Sequence, residues 1–472
     1  MRVPKRVVII GAGISGLSVA CGLAGRSDIR VTLLEADRAV GGLSKTISHR
    51  GIRFDIGPHR FSPQLPEVVR IVKSLMGDSL IVRANTHGVH YDDVLYRYPP
   101  RLRELLNPSS LRTTLRFGSD WVCARLKNVA WRFCGGRAGA SFEEILLDNF
   151  GRSFCDDVIF PMIYKVWGTR DLHADFARIR FVKPTFPLLT AKLIGRGTNA
   201  NNHIFYYPRG GYGEIGESLR RHIEKSGHVV ELGARIASVA TRSLKGPFTV
   251  RYALDGVEKA LEADILVNTI SNRHLIEYLK MSGTVDQLLT ETGNLTSRTL
   301  RLGVLLVKGF SLPARVVIFP EARFIFNRIS EMNQFADLGY PAGVAVLLVD
   351  VICAPGSDYD LMDEGTFNHK LLDSLLALGW FTKDDLQEYF SLRFPDTYPV
   401  LDRARYHSQE IIDAHFARSA VILCGREASS DYNNMHNAIG KGLTAADYIA
   451  GTIDFDDYER SSRILGRLPI QD

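Results

Sequence analysis

The chain has 472 residues, 45% hydrophobic and 23% charged, values ordinary for a folded, water-facing protein. They exclude a mostly disordered chain, a collagen-like repeat and a long coiled coil, and at roughly 150 residues per domain they leave room for two or three domains. Lys and Arg number 58 against 52 Asp and Glu, a net charge of +6. That is too dilute to call for nucleic acid, but it suits an anionic small molecule held by a few arginines.

The six cysteines (Cys21, Cys123, Cys134, Cys155, Cys353, Cys424) are scattered, with no CxxC pair. Such usage fits a reducing compartment, and the expected location is the cytoplasm. Val7 to Gly25 carries no charge and has the length of a membrane span or a signal sequence. Its five glycines, at 11, 13, 16, 22 and 25, favour another meaning. No other stretch is long and apolar enough to span a bilayer, which leaves peripheral membrane contact open.

Arg6-Val-Val-Ile-Ile10 is a continuous β-branched run, suited to a strand buried on both faces. Gly11-Ala-Gly13-Ile-Ser15-Gly16 follows at once, then a helix pattern from Leu17 to Ala24 and a second strand, Val31 to Leu34, ending in Glu35. Gly11 permits a tight turn, Gly13 lets backbone approach a pyrophosphate, and Gly16 lets the helix sit close to the strand. The helix N-terminus offers N–H groups and a positive dipole end to phosphates. Glu35, 19 residues past Gly16, is placed to accept the ribose hydroxyls of an adenosine. The plainer alternative is a glycine-rich turn in an ordinary βαβ unit.

After Glu35 come Arg38, the pair Gly41-Gly42, and Gly51-Ile-Arg-Phe-Asp55-Ile-Gly57-Pro58-His59-Arg60-Phe61, where a nicotinamide domain would run into its next crossover helix. This pattern resembles the FAD-binding half of the amine oxidase, protoporphyrinogen oxidase and phytoene desaturase superfamily. The resemblance implies an α/β fold: a discontinuous Rossmann-like FAD-binding domain with an α+β substrate-binding cap. It implies that Arg38, Gly41 and Gly42 lie along the FAD pyrophosphate and ribityl chain, and that Gly57-Pro58 lies against the flavin ring.

Later segments extend the likeness. Gly227 to Ile236 resembles the strand that returns to the FAD domain, Ile236 offering backbone contacts to adenine, and Ala263 to Ser271 resembles the buried strand after it. Ala420 to Arg426, then Ser430 to Ala446, resemble the closing motif, with Gly425, Arg426, Asn434, Met435 and Ile439 nearest the cofactor. The glycines there also suit plain helix packing. By this reading 1–85, 205–275 and 385–455 build the FAD domain, 86–204 and 276–384 the cap, and 456–472 a polar tail.

The cap is less legible. Its first piece is rich in arginine and aromatics (Arg97, Arg101, Arg103, Trp121, Trp131), and Ser141 to Phe150 has helical periodicity with a Ser141/Glu144 capping box. Leu300–Val307 and Val344–Val351 read as strands of an antiparallel sheet. Pro161 to Thr169 and Phe205 to Gly213 resemble segments of protoporphyrinogen-oxidase-like members, with Tyr206 and Tyr207 suited to a pocket or to packing. Arg298, Arg301 and Arg328 fall on strand runs, where an arginine meets a carboxylate or phosphate bidentately or simply forms a solvated face. Arginine where amine oxidases carry a cap lysine weakens an amine substrate. The absence of a Ser-Gly-Gly-Cys run argues for non-covalent FAD. His87 and His90 lack a third ligand in a recognisable pattern, so no metal is expected.

His59 in Gly57-Pro-His59-Arg-Phe61, with Tyr96-Arg-Tyr98-Pro99 and Asp396-Thr-Tyr398-Pro399, is similar to the UDP-galactopyranose mutases, whose flavin chemistry is redox-neutral. An imidazole there hydrogen-bonds the flavin or a substrate hydroxyl, relays a proton, or packs against the turn. Two functions follow as expectations. One is an FAD-dependent oxidoreductase moving hydride from a small molecule to flavin N5, with His59, Arg298 and Arg328 at the chemistry. The alternative is a flavin-dependent sugar-nucleotide mutase or isomerase. A flavin-binding factor without turnover is a third possibility.

Overall fold

Val7, Val8, Ile9 and Ile10 are each 2% exposed or less, so strand β1 (Lys5–Ile10) must be covered on both faces and lie inside a sheet. In the computed structural model, which describes residues 3–98, 106–133, 140–181, 204–280 and 285–469, it does. Helix α1 (Ile14–Gly22) and strand β2 (Ile29–Glu35) follow it. Helix α2 (Glu214–Lys225), β3 (Val229–Leu232), β4 (Ile265–Asn268), β5 (Val421–Leu423) and helix α3 (Met435–Ile449) complete the frame. The five strands pair in the order β5-β4-β1-β2-β3, every pair parallel. This is a doubly wound, Rossmann-like sheet.

The chain divides into two compact units. The first is Met1–Ile81, Tyr206–Thr296 and Arg403–Leu468; the second is Val82–Phe205, Ser297–Asp402 and Pro469–Asp472. Apart from shifts of a few residues near 81 and 205, the boundaries differ from the expected ones in three places. Residues 276–296 join the first unit, because Leu279, Leu288 and Leu295 bury themselves in the same core as Val8, Leu266 and Val421. Residues 385–402 join the second, because Leu386–Pro399 forms a strand antiparallel to Ser297–Lys308. The expected tail is a helix, Phe455–Gly466, packed on α3, with Tyr458 Oη donating to Leu423 O at 3.2 Å and Asn437 Nδ2 to Leu465 O at 2.9 Å.

The second unit is built on a seven-stranded sheet. Ser297–Lys308 lies between Leu386–Pro399 and Val344–Cys353, all antiparallel. Arg328–Glu331, Val316–Ile318, His87–Tyr91 and Val94–Tyr98 continue it. All ten residues of Val344–Cys353 are buried, so both predicted runs are core strands. Around the sheet stand Pro108–Phe133, Phe142–Phe150 and Phe160–Trp167. The predicted capping box is present: Ser141 N donates to Glu144 Oε2 at 2.9 Å and Glu144 N to Ser141 Oγ at 3.2 Å. Arg101 and Arg103 lie outside the described residues, as does the side chain of Trp131.

Candidate functional site

The glycine turn between β1 and α1 is set by close approach. A Cβ on Gly16 would stand 2.1 Å from Gly11 O, and one on Gly11 would stand 2.5 Å from Thr269 Oγ1. Helix and strand therefore touch through backbone, as the spacing predicts. Gly13 is different. It caps α1 without a side-chain hydrogen bond, and a Cβ there would meet nothing within 4 Å. The helix thus presents its N-terminal N–H groups and positive dipole end beside open space.

Two further elements frame that opening. Glu35 Oε2 accepts Ala12 N at 2.7 Å and Glu35 Oε1 accepts Asp37 N at 2.9 Å, which holds the carboxylate at the edge of the turn with lone pairs to spare. Gly41 N donates to Ala12 O at 2.8 Å, and Gly41 bridges to Gly13. The Gly41-Gly42 bend, with φ of 101° and 57°, takes the left-handed backbone that favours glycine, and a Cβ on Gly42 would lie 3.4 Å from Gly13 Cα, in van der Waals contact. Arg38 is placed otherwise. Its side chain is 91% exposed and its guanidinium reaches Asp255 at 4.0 Å.

The Gly57-Pro58 turn ends the hairpin Thr46–His49/Ile52–Asp55. His59 Nε2 donates to Leu43 O at 3.1 Å, and its ring stacks on Tyr212 at 4.7 Å and 11°. His59 therefore ties the Gly57-Pro58 turn to the Gly41-Gly42 bend, a positioning contact that fixes its tautomer with the proton on Nε2. Beneath it lies a group that sequence reasoning missed. Asp55 is fully buried; it accepts Thr46 Oγ1 at 2.6 Å, Tyr212 N at 3.1 Å and the Tyr207 hydroxyl. Burial raises its carboxyl above the ordinary range, while these donors work the other way. Tyr207 is thus a core residue; Tyr206 is half-buried, with the Lys73 ammonium 4.5 Å from its ring centroid.

The closing segment meets the same opening from β5. A Cβ on Gly425 would stand 3.0 Å from Ser15 Oγ, and one on Gly442 would stand 2.5 Å from Ser18 Cβ, so α3 and its approach lie directly on α1. Arg426 Nη2 donates to Asn433 O at 2.6 Å. Asn434 caps α3, its N donating to Asn437 Oδ1 at 3.3 Å; Met435 and Ile439 are buried. Asn433, 3% exposed, has neither side-chain amide atom hydrogen-bonded. Ile236 lies apart on Ala234–Thr241, at a β-bulge opposite Tyr252, with its side chain against the core. Cys424, beside Gly425, is buried and its thiol is pushed up to about 12.

In the second unit the predicted arginines separate by their partners. Arg328 is bound to Asp350, which is 0% exposed: its Nε donates to Oδ2 at 2.9 Å. Arg301 Nη1 donates to Met362 O at 2.8 Å and lies over the Phe367 ring at 4.1 Å. Both are occupied holding the fold. Arg298 is not: its guanidinium lies against Gly168, where a Cβ would be 2.5 Å from Nη1, and its Nε is buried without a hydrogen bond. Burial pulls its pKa down, with Cys353 and Tyr164 acting the other way. Lys165, unpredicted as a clamp, donates to the carbonyls of Phe319, Glu321 and Phe326 at 2.8, 2.6 and 2.9 Å. His90 Nδ1 meets Glu321 Oε2 at 3.0 Å.

Comparison with known proteins agrees with this frame. The model of the family described as flavin containing amine oxidoreductase matches residues 14–283. Among curated relatives, a phytoene desaturase of Phycomyces blakesleeanus is 34% identical over 129 residues, 25% of this chain and 22% of that protein. Protoporphyrinogen oxidase 2 (chloroplastic/mitochondrial) of Arabidopsis thaliana is 27% identical over 162 residues, 34% of this chain and 32% of that protein. The chain therefore spans a third or less of these two relatives' length. A reduced UDP-galactopyranose mutase structure superposes with a TM-score of 0.82 at 20% identity, over 99% of this chain and 98% of that one; at that identity the likeness concerns the fold. The family match covers more than half of the chain, from the first residue of α1 through the Gly41-Gly42 bend, Asp55 and His59, and the chain belongs to the flavin containing amine oxidoreductase family.

Proposed function

We propose that the first unit binds FAD without a covalent bond and that the protein is an oxidoreductase taking hydride from a small molecule with an anionic group. The observation that carries this reading is the uncapped N-terminus of α1 at Gly13, open where a Cβ would project and framed by Glu35 and Gly41-Gly42. The residues present fit the group. Gly11, Gly13, Ser15 and Gly16 suit the pyrophosphate, Glu35 the ribose, Gly41, Gly42, Gly57 and Pro58 the close approach of a flat ring. The unsatisfied amide of Asn433 asks for a polar partner of the kind a flavin ring edge supplies. Ile236, Gly425, Arg426, Asn434, Met435 and Ile439 border the same cofactor in this reading, with Arg38 at its solvent side. Cys424, beside Gly425, is buried, and burial pushes its thiol up.

When bound, FAD supplies a hydride acceptor at N5. The chain's own residues bind, orient and exclude water. His59 holds two backbone turns in register, and Arg298, whose buried Nε has no hydrogen-bond partner among the described residues, offers its guanidinium to an anionic substrate group. Arg328 is engaged with Asp350.

A second reading is favoured by the full-length likeness to UDP-galactopyranose mutase and by the Gly57-Pro-His59 run: a redox-neutral reaction on a sugar nucleotide, with Arg298 at the diphosphate. Anaerobic titration separates the two. An oxidoreductase loses its absorbance near roughly 450 nm stoichiometrically with substrate. A mutase needs prior reduction by dithionite and then turns over without consuming it. A colourless protein that takes up no FAD overturns both.

A further inference from the structure

We propose that the outer face of the Pro108–Phe133 helix is a docking surface for an anionic lipid bilayer. Leu111, Leu115, Val122 and Leu126 are 38, 64, 48 and 66% exposed. At 3.6 residues per turn they fall, with exposed Gly118, on one stripe about 80° wide and about 22 Å long. Leu106, 57% exposed, precedes the helix. The described residues hold 13 exposed large hydrophobic side chains, and five of them are gathered in this one segment. Scattered singly they would need no account; in a row they do.

The stripe is not the helix's core face. That face is already used: Phe117 packs on Tyr91 at 5.8 Å and Phe154 at 5.2 Å, and Thr113 is buried. A surface helix ordinarily turns polar side chains outward. This one turns aliphatics outward, flanked on one side by exposed Arg112, Arg116 and Lys127. The one acid among its described side chains, Asp120, is held by Ser153 N at 2.9 Å, and Arg116 also pairs with Asp157 of another segment.

Aliphatic side chains along the axis with cations at the flank match a bilayer surface, acyl boundary beneath and phosphates beside. A second copy matches less well. Pairing two such faces brings Arg112 and Lys127 against the same cations, with no acid on the stripe to meet them. Among the described residues no helix is long and apolar enough to cross a membrane, so the contact is peripheral. The face carries none of the residues assigned to cofactor or substrate.

Flotation of the full chain with phosphatidylcholine–phosphatidylglycerol vesicles, against vesicles of phosphatidylcholine alone, tests this. The protein is expected to float with the anionic vesicles and to be released by salt. Changing Leu115→Ser, Val122→Ser and Leu126→Ser together should lower partitioning about tenfold or more; Arg112→Gln with Lys127→Gln should lower it by a similar factor. All these positions are exposed, and an unchanged thermal melt confirms an intact fold. No flotation with anionic vesicles, or variants that float like the parent, overturns the proposal. So does a parent dimer in sedimentation equilibrium that the triple serine variant dissociates, since the stripe then belongs to a second copy.

Discussion

The two units offer their candidate binding groups in opposite ways. In the first, what faces open space at α1 is backbone, made available because Gly11, Gly13 and Gly16 carry no side chain. In the second, the candidate groups are long cationic side chains, and availability depends on which have found a partner. Arg328 has Asp350, Arg301 has the carbonyl of Met362, and the buried Nε of Arg298 has no hydrogen-bond partner among the described residues. A backbone site is decided by a local motif; a side-chain site is decided by the surplus left after the fold has taken what it needs.

The sharpest way to break this contrast is within the turn itself. Gly16→Ala places a Cβ 2.1 Å from Gly11 O and should cost about 4 kcal/mol or more, abolishing a cooperative melt. Gly13→Ala, with nothing within 4 Å, should leave the melt of the cofactor-free protein unchanged and remove the flavin absorbance. A Gly13→Ala protein that keeps its full flavin content would end the cradle reading. Among the arginines, Arg328→Ala leaves Asp350 buried without its cation and should destabilise by about 3–5 kcal/mol in chemical denaturation. Asp350→Asn added to it should recover part of that loss.

Asp55→Ala strands the hydroxyls of Thr46 and Tyr207 and the Tyr212 N–H, and about 2–3 kcal/mol should go from the unfolding free energy. Arg298→Ala should do the reverse of Arg328→Ala: a melt within about 0.5 kcal/mol of the parent, but a KM raised roughly tenfold, about 1.4 kcal/mol. An unchanged KM takes Arg298 out of substrate binding. The smallest effect belongs to the clamp between β1 and the start of β4. Arg6 donates to Asp264 at 2.8 Å and holds its carboxyl below the ordinary carboxylate range. That stability is present above the ordinary carboxylate value and is lost as pH falls through the lower folded value. With side chains 42 and 39% exposed, solvent screens it to less than about 1 kcal/mol, and Asp264→Asn should flatten only that acid branch.

How much was legible in the sequence varies by residue. The β1–α1–β2 frame and the Gly41-Gly42 bend were legible because each is a short-range pattern whose geometry follows from missing side chains. Asp55 was not, because its partners Tyr207 and Tyr212 stand some 150 positions away. Its only local signal was a carboxylate in an apolar strand end, Phe54-Asp55-Ile56, where burial demands donors. Arg298 and Arg328 looked alike, each on a strand run. Strand register separates them: Arg328 lies directly across from Asp350, whereas Arg298 lies across from Tyr398. The boundary near 385 was misread for the same reason, since Leu386–Pro399 binds a strand that precedes it by some 90 residues.

From the order of its residues alone this protein's glycine turn, its flavoprotein likeness and the identity of its core strands followed, because glycine spacing and β-branched runs act over a few neighbours. Which arginine meets a carboxylate, which acid is buried and which helix face keeps its leucines exposed were decided only when distant segments met. Those outcomes depend on pairing and burial between residues that no local pattern connects.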